Sequence, residues 1–327
     1  MQRAVIALAS AVLLLGKVDA GAAEMKQIIV AEPVHNLGYL PLYIAIDKGF
    51  FAKENLDAKI LTIESGSGHT NAVLSGQAFA FIGGPEHDAY AKIKGAELRS
   101  VVNVVDRGNV YFNAAVGKGP TDRNWPAYFK GKTIEAGVAG GTPNSITRYL
   151  LGTWGLDDKK DVTLLESTVA GTLAAVKVGQ ATIANSAEPI LTQGVRQKIW
   201  EEPFYSVPKE MGPYAYSTLN VRLDSIQKDP ETVRGFVLAV IMGLDFTYEH
   251  PAEAAAIAAK EFPTMPPEDV KATLDRTFAD ALWSHDGSIS RQSWATAEKV
   301  VRGANILTQD VAYDDIIDME FLPTKHQ

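Results

Sequence analysis

Short apolar runs alternate with amphipathic stretches through the first two-thirds of the chain. Gln27-Ile28-Ile29-Val30-Ala31 reads as a buried strand. After Pro41, which suits a first helical position, Leu42, Ala45 and Ile46 take i, i+3, i+4 spacing, and Gly49 can end that helix. Lys59 to Ile63 predicts a second strand. Gly66-Ser67-Gly68-His69 predicts a turn into a helix through Leu74, and Phe79 to Ile82 a third strand ending at Gly83-Gly84-Pro85. The order then repeats. Lys132 to Val138 predicts a strand, followed by the turn Ala139 to Pro143, with Thr142 as N-cap and Pro143 as the first helical residue. A helix through Leu151, a strand Val162–Leu165, a helix Gly171–Val178 and a strand Thr182–Ala184 complete the second round.

The repetition extends to the letters. Ala72-Val73-Leu74-Ser75-Gly76-Gln77-Ala78 returns as Ala175-Val176-Lys177-Val178-Gly179-Gln180-Ala181. Two related halves predict two similar α/β lobes, each with a mostly parallel sheet, and a cleft between them. The last third has another rhythm. Asp229-Pro230-Glu231 starts a long helix whose apolar face is Val233, Phe236, Val237, Val240, Ile241 and Leu244. His250-Pro251 breaks it and opens an Ala-rich helix, with further helices over Pro267–Trp283 and Ile289–Ala304. Their amphipathic faces are expected to pack on a sheet and not to form a separate core.

Composition narrows the class. The 327 residues suffice for two domains, and 46% hydrophobic with 21% charged residues is ordinary for a globular chain. Arg3, the apolar run Ala4–Gly16 and the small residues Val18 to Ala23 have the layout of a secretory signal, cleaved near Ala22 or Ala23. Formal net charge is −8, and −9 once residues 1–23 are removed with Arg3, Lys17 and Asp19. An acidic chain without a basic stripe argues against nucleic acid as partner. The absence of cysteine removes disulfides, thiolate metal sites, thiol nucleophiles and a lipid-bearing cysteine. The expectation is an exported, unanchored protein in the periplasm.

In parallel α/β sheets, ligands bind beyond the carboxyl ends of the strands, where helix N-termini also point. Five loops meet that condition, and the candidate ligand residues in them are His35, Asn36, Tyr39, Ser67, His69, Gly84, Glu86, Thr142, Asn144, Ser145, Asn185 and Glu188. Each also has a bland structural role open to it, as a turn glycine, a cap or a solvated charge. No catalytic residue, metal site or cofactor is expected: no two histidines form HExxH, the G-x-S-x-G frame is not met at Ser65–Gly68, and no GK[ST] phosphate loop is present.

The segments Gly38-Tyr39-Leu40-Pro41-Leu42-Tyr43-Ile44-Ala45, Lys48-Gly49-Phe50-Phe51, Leu74-Ser75-Gly76-Gln77-Ala78, Lys130-Gly131-Lys132-Thr133-Ile134, Gly179-Gln180-Ala181 and Glu188-Pro189 together resemble the periplasmic solute-binding proteins of ABC importers. Within them the chain is similar to the branch of nitrate, sulfonate and taurine binders and NMT1/THI5-like pyrimidine-precursor binders. The resemblance implies a type II periplasmic-binding-protein fold. Residues 24–114 and 217–327 would form the first lobe and 115–216 the second. Strand Tyr111–Val116 would leave the first lobe, and Tyr214–Leu219 would return. It also implies a monomer that closes on a small-molecule ligand by a hinge and is met by a permease and, through it, an ATPase. Relatives that make a pyrimidine at an iron centre use a cysteine-rich motif absent here. The five loops hold no Arg or Lys but two glutamates, which favours a neutral or nitrogen-rich solute, with Tyr39 stacking and Glu188 accepting ligand N–H bonds. Three alternatives stay open: an anion binder of the same family, an enzyme resembling the menaquinone-pathway dehydratases, and a sensory ligand-binding module.

Overall fold

The computed structural model describes residues 24–324, so the expected secretory signal and His326 lie outside the described residues. Ten strands run in chain order: β1 Lys26–Glu32, β2 Leu56–Thr62, β3 Ala80–Gly83, β4 Leu98–Arg107, β5 Tyr111–Ala114, β6 Thr133–Glu135, β7 Thr163–Leu165, β8 Ile183–Ser186, β9 Tyr205–Ser206 and β10 Pro213–Arg222. They form two five-stranded sheets, in the orders β2-β1-β3-β10-β4 and β7-β6-β8-β5-β9. In each sheet three strands are parallel, as expected for strands joined by helices. The fourth is antiparallel: β10 against β3, with Thr218 opposite Gly83, and β5 against β8, with Tyr111 opposite Ser186. The sheets are therefore mixed. β3 and β8 are buried along their whole length, which explains the unbroken apolar and small-residue run of β3.

The repeated Gly-Gln-Ala is a helix ending used twice. The helices Gly68–Leu74 and Val169–Lys177 stop where Gly76 takes φ +80° and Gly179 takes φ +75°, a left-handed turn that glycine adopts without strain. The chain then folds back: the Ala78 and Ala181 amides donate to the carbonyls of Ala72 and Ala175, at 2.9 and 3.2 Å. Each turn delivers the chain into the third parallel strand of its sheet.

Sheet membership moves the expected lobe boundaries. β5 pairs with β8 and β9, so the first crossing falls at residues 108–110 and not after residue 114. The return follows the helix Val207–Met211 and Gly212, so β10 belongs to the first sheet from Pro213. The hydrophobic runs at 111–116 and 214–219 are continuous across both crossings, which hides the change of sheet.

The C-terminal third packs as its amphipathic pattern predicts. The helix Pro230–Glu249 begins at Asp229, whose carboxylate accepts from the Thr232 amide, and it lies on the helix Leu40–Asp47. Its buried residues join those of β1, β4 and β10 in one core. The helix Arg291–Gly303 packs on β10 and on the helix Thr142–Thr153, touching both lobes. The outer edge of β4 is covered by residues 282–318: Ser100 and Asn103 donate to the Ile316 and Gly287 carbonyls at 2.8 Å.

Candidate functional site

The carboxyl ends of β1, β2 and β3 face those of β6, β7 and β8 across a cavity of about 320 Å³. Eight of the twelve candidate residues line it: His35, Asn36, Tyr39, His69, Gly84, Thr142, Asn185 and Glu188. Ser67 is exposed on the rim. Glu86 is buried and does not line the cavity. Asn144 and Ser145 are turned into the protein, because successive helical residues rotate by about 100°. The Asn144 amide donates to the Gly137 carbonyl and to Glu166, and Ser145 donates to the Gly141 carbonyl at 3.2 Å.

The two rims touch. Thr142, at the start of the helix Thr142–Thr153, donates its hydroxyl to Glu86 of the opposite lobe and does not cap its own helix, whose N-cap is Gly141. This replaces the capping role expected of Thr142. Beside it, Gly66 lies against the carbonyl oxygen of Ala139, so close that a Cβ on Gly66 would sit 2.2 Å from it. Burial pushes the Glu86 carboxyl up to about 7, with the Thr142 hydrogen bond opposing the shift.

Glu188 has a different place from the one expected of it. Its two oxygens accept from the Thr192 amide and hydroxyl, the Thr273 hydroxyl and the Arg276 guanidinium, the last at 2.8 Å. Burial raises its pKa, opposed by Thr192 and Arg276. Its acceptor capacity is thus filled by the protein and not left for ligand N–H groups. Arg276 comes from the helix Pro267–Ala279 in the C-terminal third, so the contact ties that helix to the second sheet. Nothing in the sequence near the strand-end loops signals it.

His35 is half-buried and stacked on Phe262, with ring centroids 4.7 Å apart, while its Nδ1 lies 2.9 Å from a Glu32 oxygen. That hydrogen bond raises its pKa, against partial desolvation. The Asn36 side chain accepts from the Gly38 amide, and the Asn185 amide donates to the Pro143 carbonyl and Thr147 hydroxyl. Tyr39 is buried, and desolvation raises its hydroxyl's pKa. Sequence reasoning missed Asn109, Tyr216, Ser217, Phe262, Thr264 and Met265, all of which line the cavity. Phe262-Pro263-Thr264 carries a usable signal, a proline turn between two helices; Asn109 sits at the crossing that the continuous apolar run concealed.

Among the described residues, no Lys or Arg side chain lines the cavity, whereas Glu64 and Glu188 do. His69 and His87 are held neutral by desolvation, with pKa values lowered to about 2 and about 4. Among the described residues, no group of three or more His, Asp or Glu is arranged to hold a metal ion, and no helix is long and apolar enough to cross a membrane.

A family model described as NMT1/THI5-like matches residues 36–254. The chain is similar to the protein YtlA of Bacillus subtilis (strain 168), 24% identical over 299 residues with 90% of this chain and 89% of that one covered. It is similar to the riboflavin-binding protein RibY of Chloroflexus aurantiacus, 24% identical over 313 residues with 89% and 84% covered. Among solved structures, the alkanesulfonate-binding protein SsuA of Xanthomonas axonopodis pv. citri, bound to MOPS, superposes with a TM-score of 0.73. It is 16% identical, with 91% of this chain and all of that one covered. That likeness shows the two-lobed periplasmic-binding-protein fold.

Proposed function

Because this chain belongs to the NMT1/THI5-like family, we propose that it is the extracytoplasmic substrate-binding subunit of an ABC importer, closing its two lobes on a small neutral or nitrogen-bearing organic solute. The observation that carries the reading is the cavity between the strand ends of both sheets, which no lysine or arginine among the described residues lines. An enclosed solute holds the rims together, and the joined surface is what a permease would recognise. The protein acts as a monomer, carries no cofactor and is exported through a leader within residues 1–23.

Relatives differ in what their names say they bind. RibY is named for riboflavin, an uncharged nitrogen heterocycle, and SsuA for alkanesulfonates. The sulfonate alternative has one observation in its favour: the N-terminus of the helix Thr142–Thr153 opens on the cavity. Glu86 already receives the Thr142 hydroxyl there, so an oxyanion would meet a carboxyl at the same place.

Native mass spectrometry of the protein purified from its own host tests the reading. A bound uncharged or cationic heterocycle is the expected result. A retained sulfonate or nitrate would replace it with the anion reading. An N-terminal sequence starting near Ala23 is expected for the mature chain; an intact Met1 in the cytoplasm would count against export.

A further inference from the structure

Glu86 opens the helix Glu86–Lys92 of the first lobe, and its carboxyl reaches the other lobe. One oxygen takes the Thr142 hydroxyl. The other has no hydrogen-bond partner, although the residue is only 1% exposed. Gly84 makes the room, since a Cβ there would lie 2.0 Å from Oε2. Among the described residues no lysine or arginine offsets its charge. The groups around it are uncharged or belong wholly to the first lobe. His87, next on the same helix, and His69, packed against His87 and Phe81, are held neutral by desolvation. Burial keeps the hydroxyls of Tyr39, Tyr90, Tyr214 and Tyr216 protonated. Asp88 accepts from the Ser100 hydroxyl of β4, so its surroundings do not depend on where the second lobe stands. Among these carboxyls and imidazoles, only Glu86 bonds across the lobe boundary.

Resting on the lobe closure proposed above, we propose that Glu86 is a proton-linked latch: closing the lobes adds a proton to this carboxyl and opening returns it to water, so the solute is held more tightly in acid than in base. In the closed form an ionised Glu86 would keep a charged oxygen facing no donor. Protonation places a hydrogen on Oε2 and leaves Oε1 to accept from Thr142. In the open form the opposite rim no longer covers the carboxyl. Water reaches both oxygens, and the group titrates near its ordinary 4.5. Burial in the closed form pushes it up to about 7. A group that holds its proton more firmly when closed favours closure fully below 4.5. That advantage is lost as pH rises to 7 and is level beyond. The two histidines do not oppose it, because their rings pack on one another and on Phe81 within the first lobe. Glutamine at this position mimics the protonated state at every pH: its oxygen still accepts from Thr142.

The test measures the distance between the lobes in the full mature protein. The chain has no cysteine, so Leu74→Cys and Val178→Cys, both at exposed positions and one in each lobe, supply the only two thiols for spin labels. Distances are read by double electron–electron resonance at pH 5 and pH 8, as a deproteinised small-molecule extract of the host is added in graded amounts. The extract is expected to shorten the distance, and the amount needed for half of the change should rise at least about tenfold from pH 5 to pH 8. In the Glu86→Gln background that rise should disappear, which separates the latch from any titration of the solute itself. Should Glu86→Gln not fold, infrared difference spectra of the wild type at pH 6 give the same answer, because closure must add one protonated carboxyl band. If the wild type closes equally well at both pH values, if Glu86→Gln keeps the same pH response, or if no such band appears, the latch falls while solute binding stands. If the extract shortens the distance at neither pH, both fall.

Discussion

A carboxyl held against a threonine hydroxyl in a dry interface behaves unlike one in water. Glu86 is 1% exposed and has no cationic partner among its hydrogen bonds. With its pKa pushed up to about 7, the folded protein keeps a proton that the unfolded chain has released above about pH 4.5. Stability contributed at this site therefore falls as pH rises from about 4.5 to 7 and is level beyond, a loss of about 3 kcal/mol. Glu86→Gln keeps an acceptor for Thr142 and removes the proton. Urea melts at pH 5 and pH 8 should show the variant gaining about 3 kcal/mol on the wild type between the two; parallel curves would refute the assignment. His69 and His87 act in the other direction, since their lowered pKa values make stability fall as pH drops below about 6.5. At this scale the sequence was partly legible. The strand-end rule located His69 and Glu86 in space because it depends only on where strands stop. It could not tell that Glu86, Asn144 and Ser145 turn away from the cavity, since side-chain direction there is set by helix phase and by the opposite lobe.

Among the elements, the helix Pro267–Ala279 does more than cover a sheet. Through Arg276 it neutralises Glu188, which is 1% exposed, and through Asp269 it pairs with Arg196 on the helix Ile190–Arg196. Arg276→Met preserves the aliphatic stem but leaves a buried carboxylate without its cation. The expected cost is about 3 kcal/mol in a urea melt, and adding Glu188→Gln should restore most of it. An unchanged midpoint for the single variant would show that solvent already screens the pair. The helix itself was readable from its apolar spacing, as were the helix Pro230–Glu249 with its Asp229 cap and the doubled Gly-Gln-Ala endings at Gly76 and Gly179. What those signals report is local: caps, turns and faces. The antiparallel fourth strand of each sheet was not readable, because pairing β3 with β10 joins residues that no local pattern connects.

Taken whole, the molecule has its rims in contact, and that contact depends on what is missing from Gly66. A methyl group there would meet the Ala139 carbonyl at 2.2 Å. Gly66→Ala should hold the lobes apart, raising the radius of gyration in small-angle scattering while leaving the fold's circular dichroism unchanged; an unaltered scattering curve would show that the loops give way. The order of the strands has a consequence in time. All five strands of the second sheet lie within residues 111–206. β4, by contrast, lies between β10 and residues 282–318, all of which are synthesised later. A chain emerging from the ribosome thus makes β4 long before either of its neighbours exists, and the lobe that starts second can be finished first. In refolding followed by pulsed hydrogen exchange, amides of β5 and β8 should gain protection before those of β4; simultaneous protection would mean that the two lobes fold as one unit. Until residues 282–318 are made, the growing protein carries an apolar strand with its outer edge open, so termination before residue 282 should leave a chain prone to aggregation and not merely a shorter one.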